Sequence, residues 1–287
     1  MIHGRFPGRH IPIVVTFQRG SGIPNGIGGQ PHGHDFTELL IFHGGQGVHR
    51  VNDQDYRVAP GTVSVVLPGQ VHALVQRNDL RHIEVAFDLN RLPLPMYELR
   101  RIPGFHALFV LEPRRRGRGR FRSQLQLTQT RLADAVLLAE SMRRENEEHP
   151  PGYEAFLLSR LLDLMIALSR QYTRSHHVEA RALLRVGEVI AALERDYAGR
   201  WTVDELCRIA HMSKSALMPV FREATGQTPI DYLIHVRLRN AMNLLRTTDA
   251  TITQIALETG FSDGNYFARK FRQVLGTTPT AYRKANA

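Results

Sequence analysis

Two hydrophobic rhythms divide the chain. Between residues 11 and 90, apolar side chains come in short continuous or alternating runs. Segments 11–17, 38–42, 47–51, 62–67 and 82–87 read as β-strands. Asn52 and Asp53, Pro60 and Gly61, and Pro68 and Gly69 punctuate them with residues that turn a chain. Short, regularly spaced strands with tight turns predict a small β-barrel or sandwich. Segment 103–112 reads as a loop leading into a last short strand or helix. Beyond residue 130 the rhythm becomes helical. Leu132, Val136, Ala139 and Met142 mark one helix, which breaks at Pro150, Pro151 and Gly152. A second, over 153–172, carries Phe156, Leu157, Leu161, Leu164, Met165 and Leu168, with Leu158, Leu162 and Ile166 on further faces. That apolar stripe is wider than one partner helix would cover. A third, over 180–197, turns Leu183, Val186, Ile190 and Leu193 inward.

The C-terminal third contains one pattern twice. Phe221, Arg222, Gly226, Thr228, Pro229 and Tyr232 return as Phe271, Arg272, Gly276, Thr278, Pro279 and Tyr282, at an offset of 50. A repeat at this period means two copies of one supersecondary unit. Each copy follows a segment patterned as a helix-turn-helix, over 203–222 and 252–272. In the second, Ala256 is small where two helices must cross, and Gly260 can adopt the positive φ of a tight turn. Ser262 offers a hydroxyl to cap the next helix. Cys207 and His211 occupy the matching places in the first unit, where Cys207 reads as a small core residue. Helical hairpins buried in a core would not need the repeated tail in register, so the pair predicts tandem DNA-reading units.

These residues carry a family resemblance. Residues 185–284 resemble the DNA-binding domain of the AraC/XylS family of bacterial transcription regulators, in which a long linker helix joins two helix-turn-helix units. Gly260, Phe261, Ser262, Asp263, Tyr266, Phe267 and Phe271 match its signature, as does the segment from Gly276 to Tyr282, and the stretch from Arg237 to Leu245 is similar to its linker helix. Upstream, His32, His34, Glu38 and Gly45, then Gly61, Gly69 and His72, resemble the two motifs of the cupin barrel. They also resemble the effector-binding domain of the rhamnose-responsive branch of the same family. The resemblance implies a multidomain chain. Residues 1–112 would form a cupin-like effector-binding β-barrel, 113–180 a linker loop and dimerisation helices, and 181–287 an all-α domain with two helix-turn-helix units. It further implies double-stranded promoter DNA, RNA polymerase and a second copy of the chain as partners, and a small-molecule effector such as rhamnose or a plant-derived saccharide.

Charge and chemistry refine this picture. With 37 Lys and Arg against 27 Asp and Glu, the formal charge is +10. Residues 181–287 hold 15 basic and 10 acidic residues, so +5. The excess suits a polyanion but is spread over the chain, and phosphate attraction alone specifies no sequence. A single cysteine excludes an intramolecular disulfide and fits a reducing compartment. The first residues lack the apolar run of a signal peptide, and no apolar segment approaches spanning length, so a cytoplasmic protein without membrane contact is expected. On an extended strand His32, His34 and Glu38 share parity and project to one face. Joined by His72, they could hold a first-row transition metal. The regulator resemblance assigns the four instead to the effector site, lining the barrel mouth and bonding an effector or each other, with no metal or cofactor expected. A metal-dependent cupin enzyme fused to a DNA-binding tail is the alternative. No nucleotide-binding glycine loop, and no paired general acid and base outside the barrel, supports an enzyme.

The recognition helices present their first residues to base edges. In the second unit these are Asp263, Asn265 and Arg269, with Ser262 capping. Arg269 suits guanine and Asn265 adenine. In the first unit the candidates are Lys214, Ser215, Met218 and Arg222. Pro219 falls inside that helix, where it loses a backbone donor and should bend or shorten it. Neither Met218 nor Pro219 can make a bidentate base contact, so the first unit leans on phosphates. Arg237, on the linker helix, reads as a structural ion-pair partner. The arginine-rich run 114–122 reads as a solvated loop, with a phosphate-contacting arm as the sharper alternative, and His176 and His177 read as solvated linker residues.

Overall fold

The computed structural model describes residues 11–20, 30–116, 124–174 and 178–286. Backbone contacts divide the chain into two compact units, Met1–Leu184 and Arg185–Ala287.

The first unit is built on one antiparallel sheet of seven strands: β1 (Ile13–Gly20), β2 (His32–Gly33), β3 (Thr37–Val51), β4 (Gln54–Val58), β5 (Thr62–Val66), β6 (Val71–Phe87) and β7 (Leu125–Gln126). The path runs β1-β6-β3-β5-β7, with β2 beside β6 and β4 beside β3. Segments 38–42 and 47–51, expected as two strands, are two halves of the single strand β3. Its register against β6 slips at Phe42/Gly44, Gly44/Gln46 and Val48/His49. Strand β4 and the first half of β6 escape the hydrophobic pattern, because their outward positions carry Gln54, Arg57, Gln76 and Asn78. Leu40, Phe42, Val58, Val66, Leu74 and Leu80 pack as one buried cluster. Leu39 and Ile41, of opposite parity on β3, are also fully buried, so that half of the strand is covered on both faces.

Helices follow the sheet. Segment 103–112, expected as a loop with a short element, is helical. It comprises α2 (Pro103–His106), a π-helical stretch Ala107–Leu111 and α3 (Glu112–Arg116), preceded by α1 (Met96–Arg100). The start of the arginine run is therefore not a solvated loop. Arg116 is fully buried at the end of α3, while residues 117–122 lie outside the described residues, as do His176 and His177. Helix α4 (Gln129–Glu148) lies along β1, where Asn146 donates to the Ile13 carbonyl at 3.3 Å. Helix α5 (Tyr153–Thr173) buries Leu157, Leu161, Leu164, Met165 and Leu168, leaving Leu158, Leu162 and Ile166 half-buried. It crosses α2 so closely that a Cβ on Gly104 would stand 1.9 Å from the Ser169 carbonyl oxygen.

Helix α6 (Val178–Arg195) leads into the second unit with Leu183, Val186, Ile190 and Leu193 buried. There follow α7 (Val203–Ala210), α8 (Lys214–Thr225), the long α9 (Pro229–Thr247), α10 (Ile252–Glu258), α11 (Gly264–Leu275) and α12 (Pro279–Asn286). The repeated residues are helix punctuation. Gly226 and Gly276 end α8 and α11 at φ 78° and 73°. Thr228 and Thr278 then accept from the backbone N–H groups of Asp231 and Ala281, and Pro229 and Pro279 open the next helix. Phe221 meets Tyr232 edge-on, as Phe271 meets Tyr282. Both first helices of the pairs start with a capping box, Thr202 with Glu205 and Thr251 with Gln254. Those caps are 49 apart, whereas the caps of α8 and α11 are 50 apart, so the second segment from cap to cap is one residue longer. Gly260 holds φ 86°, and a Cβ there would stand 2.7 Å from the Ala198 backbone. His211 takes the same left-handed turn at φ 49°. Cys207 is half-buried, at the edge of the core and not inside it.

Candidate functional site

Two groups of side chains carry the chemistry, one in each unit. In the second unit, Asp263 caps α11: its Oδ1 accepts from the Tyr266 N–H at 2.7 Å. Ser262 is not the cap; its hydroxyl donates to Asp263 Oδ2 at 3.2 Å. The backbone N–H of Tyr266, above other causes, holds the Asp263 carboxyl below the usual carboxylate range. A carboxylate engaged in this way fixes the start of the helix. Asn265 and Arg269 follow on the exposed side of the helix, and the Arg269 guanidinium lies over the Tyr266 ring at 5.4 Å. Ser262, Asp263, Asn265, Tyr266 and Arg269 line one hollow of about 330 Å³.

Helix α8 differs. Ser213 caps it, and Lys214, Ser215, Pro219 and Arg222 are exposed while Met218 is half-buried. Pro219 does not shorten it: α8 and α11 both run 12 residues. The carbonyl deprived of its donor belongs to exposed Ser215, where water can replace the lost bond. Among the described residues Arg237 makes no close ion pair but bonds the backbone. Its Nε and Nη2 donate to the Tyr197 and Gly199 carbonyls, both at 2.8 Å, and it stacks over Phe261.

In the first unit, the shared-parity expectation for His32, His34 and Glu38 fails. Strand β2 is two residues long, and the chain bends at Asp35 and Phe36 before β3 begins. The bend, and not a common strand face, brings His34 toward Glu38. His34, Glu38 and His72 place one ligating atom each within 4.8 Å of one another, and all three are buried. His72 Nε2 lies 3.2 Å and His34 Nε2 3.8 Å from Glu38 Oε2. His34 Nδ1 pairs with the Phe36 carbonyl at 2.7 Å. These residues sit inside the fold and not at an open mouth. His32 stands outside this group. It is paired with His72 across β2 and β6, with rings 4.4 Å apart, and is bonded through Nδ1 to the Gln30 carbonyl. A divalent metal would find three donors of suitable type in the triangle of His34, Glu38 and His72.

Behind the triangle lies a buried polar chain that the sequence pattern does not announce. His49 Nε2 is 3.2 Å from His72 Nδ1, and Ser64 Oγ is 3.2 Å from His49 Nδ1. Arg116 Nη1 donates to Ser64 Oγ at 2.6 Å, and Arg116 also pairs with Glu112. Glu112 in turn lies against the Tyr172 phenol on α5. Burial, then Arg116, holds the His49 pKa down at about 3. Burial, then His49, holds His72 well below ordinary imidazole.

Comparison with known proteins covers both units. Residues 21–165 match the AraC-like ligand binding domain, and residues 206–285 match a helix-turn-helix domain. The HTH-type transcriptional activator RhaR of Escherichia coli K12 is 29% identical over 257 residues, covering 89% of this chain and 87% of that protein. The RhaR of Shigella flexneri is equally similar. Among solved structures, the DNA-binding domain of AdpA in complex with a target DNA is 35% identical, with a TM-score of 0.34, covering 35% of this chain and 91% of that one. Among the described residues no helix is long and apolar enough to cross a membrane. With the ligand-binding family spanning half of its length and the helix-turn-helix family most of the remainder, the chain belongs to the AraC family, as a DNA-binding transcription regulator with an N-terminal ligand-binding domain.

Proposed function

We propose that this regulator reads its operator chiefly through the second helix-turn-helix, with Asn265 and Arg269 on base edges. Lys214, Ser215, Met218 and Arg222 of the first unit hold the backbone, and Ser262 and Asp263 set the start of the second recognition helix. The observation that supports this division is the contrast between the two helices. Helix α11 presents an exposed carboxamide and guanidinium above a fixed cap, whereas α8 has Met218 and Pro219 at its centre. Arg269→Ala should cost about 1–3 kcal/mol on operator DNA and relax preference at one position, with little change on scrambled duplex. Equal loss on both duplexes would overturn the assignment. Lys214→Ala should weaken both alike and flatten the salt dependence.

The effector is a small hydroxylated molecule, of which a sugar is the favoured class, held at His32, His34, Glu38 and His72. The likeness of the His32-to-Glu38 segment to the rhamnose-responsive branch supports it, as does a set of residues that bond hydroxyl groups. The protein acts in the cytoplasm as a homodimer, contacts RNA polymerase and catalyses no reaction. Thermal-shift screening of the full chain against simple sugars tests the effector. A stoichiometric divalent metal in protein purified without chelators would favour the metal-dependent reading instead.

A further inference from the structure

A second group of polar side chains in the first unit lies away from the triangle. Strands β3, β4 and β6, with the turn before β5 and the short β7, surround a hollow of about 780 Å³. None of His32, His34, Glu38 and His72 lines it. The register shows how it is built. Arg57 of β4, Val48 of β3 and Gln76 of β6 are neighbours in one row, and two residues along Gln46 pairs with Asn78. Register slips at Gly44/Gln46 and Val48/His49 bracket this stretch of β3, and bulges of this kind re-aim side chains beside binding sites. A Cβ on Gly47 would run into the Gln76 carbonyl, so only glycine lets β3 and β6 approach there.

One wall is fixed. Thr62, 3% exposed, donates to Gln126 Oε1 at 3.1 Å, and Gln126 Nε2 donates to the Pro60 carbonyl at 2.6 Å. The second hydrogen of that amide is left for another acceptor. Gln124 has a buried Nε2 with no acceptor among the described residues. Charge then sets the ligand class. Arg57 and Arg77 line the hollow, and among the described residues no acidic one does. The carboxylates beside them along the strands are engaged elsewhere: Asp55 pairs with Arg50 at 2.6 Å, and Asp79 with Arg19 and Arg81 at 3.5 and 3.8 Å. Neither Arg57 nor Arg77 has an ion-pair partner among the described residues. Two uncommitted guanidinium groups suit an anion, and the carboxamides of Gln46, Gln76 and Asn78, each donor and acceptor at once, suit hydroxyls. A solvated strand face would carry glutamines as well. The pinned Gln126, the unmatched Gln124 donor and the two cations without acids distinguish this one.

We propose that this hollow is a second ligand site of the regulator. It takes a small anionic carbohydrate, with a carboxylate or phosphate against Arg57 and Arg77 and hydroxyls on the carboxamides. The volume falls in the range of small-molecule sites. The site stands independently of the effector reading of the triangle, because the two share no residue.

Isothermal titration calorimetry on the full chain, with glucuronate, glucose 6-phosphate, glucose and inorganic phosphate, tests it. Glucuronate or glucose 6-phosphate should bind, the tighter of the two identifying the anionic group. Glucose and inorganic phosphate should each bind at least about tenfold more weakly, since each lacks half of the contacts. Arg57→Gln and Arg77→Gln should each lower the affinity by about tenfold or more, the loss of a charge-assisted hydrogen bond. Gln76→Glu sets a negative charge in the hollow and should abolish binding, while the unliganded variant melts at the wild-type temperature. Arg57 and Gln76 are exposed, so both variants keep the fold. Glu38→Gln, which alters only the triangle, should bind as wild type does. No binding of either anionic sugar at millimolar concentration would overturn the proposal. So would glucose or inorganic phosphate binding as tightly as they do, wild-type affinity in Arg57→Gln/Arg77→Gln, or loss of binding in Glu38→Gln.

Discussion

His49 is fully buried with its two nitrogens engaged by Ser64 and His72. Burial first, then the charges of Arg116, His82 and His32, brings its pKa from 6.5 to about 3. His72 shifts the same way, by burial and then by His49, His32 and His34, with Glu84 opposing. Below pH 6.5 the unfolded chain takes up protons that the folded chain refuses, so stability falls from there toward about pH 3. Above 6.5 both states are neutral and the groups contribute no slope. Each histidine should take away about 1.4 kcal/mol per pH unit within that window. Urea unfolding at several pH values measures the slope, and His49→Gln should reduce it by one histidine's share. An unchanged slope would mean that folded His49 is protonated. A second residue-scale prediction concerns Glu112, whose carboxyl burial pushes up to about 7 although Arg116 opposes the shift. Glu112→Leu leaves the Arg116 charge buried without its counter-ion, which should cost about 3–5 kcal/mol. Adding Arg116→Met should recover most of that loss in the same unfolding assay.

At the scale of elements, Pro219 is the main difference between α8 and α11, two helices of equal length. An interior proline costs about 3 kcal/mol relative to a good helix former. Leu217 and Phe221, both fully buried, anchor α8 on either side of it. Pro219 itself is exposed, so a longer side chain meets no neighbour that must move. Pro219→Arg should therefore raise the melting temperature and strengthen binding to operator and scrambled duplex alike, because it restores a backbone donor and adds a phosphate partner. A fall in melting temperature would show that the proline suits the local geometry better than an ordinary helical residue. The same helices show what a sequence reveals. Gly226, Thr228, Pro229 and their repeats act through neighbours four residues away at most, so their spacing alone announces helix ends. The ligand-binding unit is less legible. The strand registers of β3 slip three times, so the parity of Glu38 says nothing about where His49 points. His34 meets Glu38 through a bend, and Arg116 is buried at the end of a run whose composition reads as solvated. Residue types disclosed the histidine–glutamate triangle; its supporting chain depends on bulges and long-range packing that no local pattern encodes.

For the molecule as a whole, a net charge of +10 with only +5 in residues 181–287 sets how an operator can be held. Modest charge gives modest non-specific affinity. The homodimer proposed above would supply the difference, since linked binding units gain about 10²–10⁴ in avidity without a new contact. The ligand-binding unit offers an apolar surface for this. Leu137 on α4 is 72% exposed, and Leu158, Leu162 and Ile166 on α5 remain half-buried. Leu137→Arg changes a side chain that the fold of one chain does not use, so the variant should unfold at the wild-type temperature. It should sediment as a monomer, and the wild type as a dimer. Its affinity for a single half-site should match wild type, while affinity for a two-half-site operator should fall by about 10²-fold or more. A dimeric Leu137→Arg protein with full operator affinity would place the contact between chains elsewhere on the molecule.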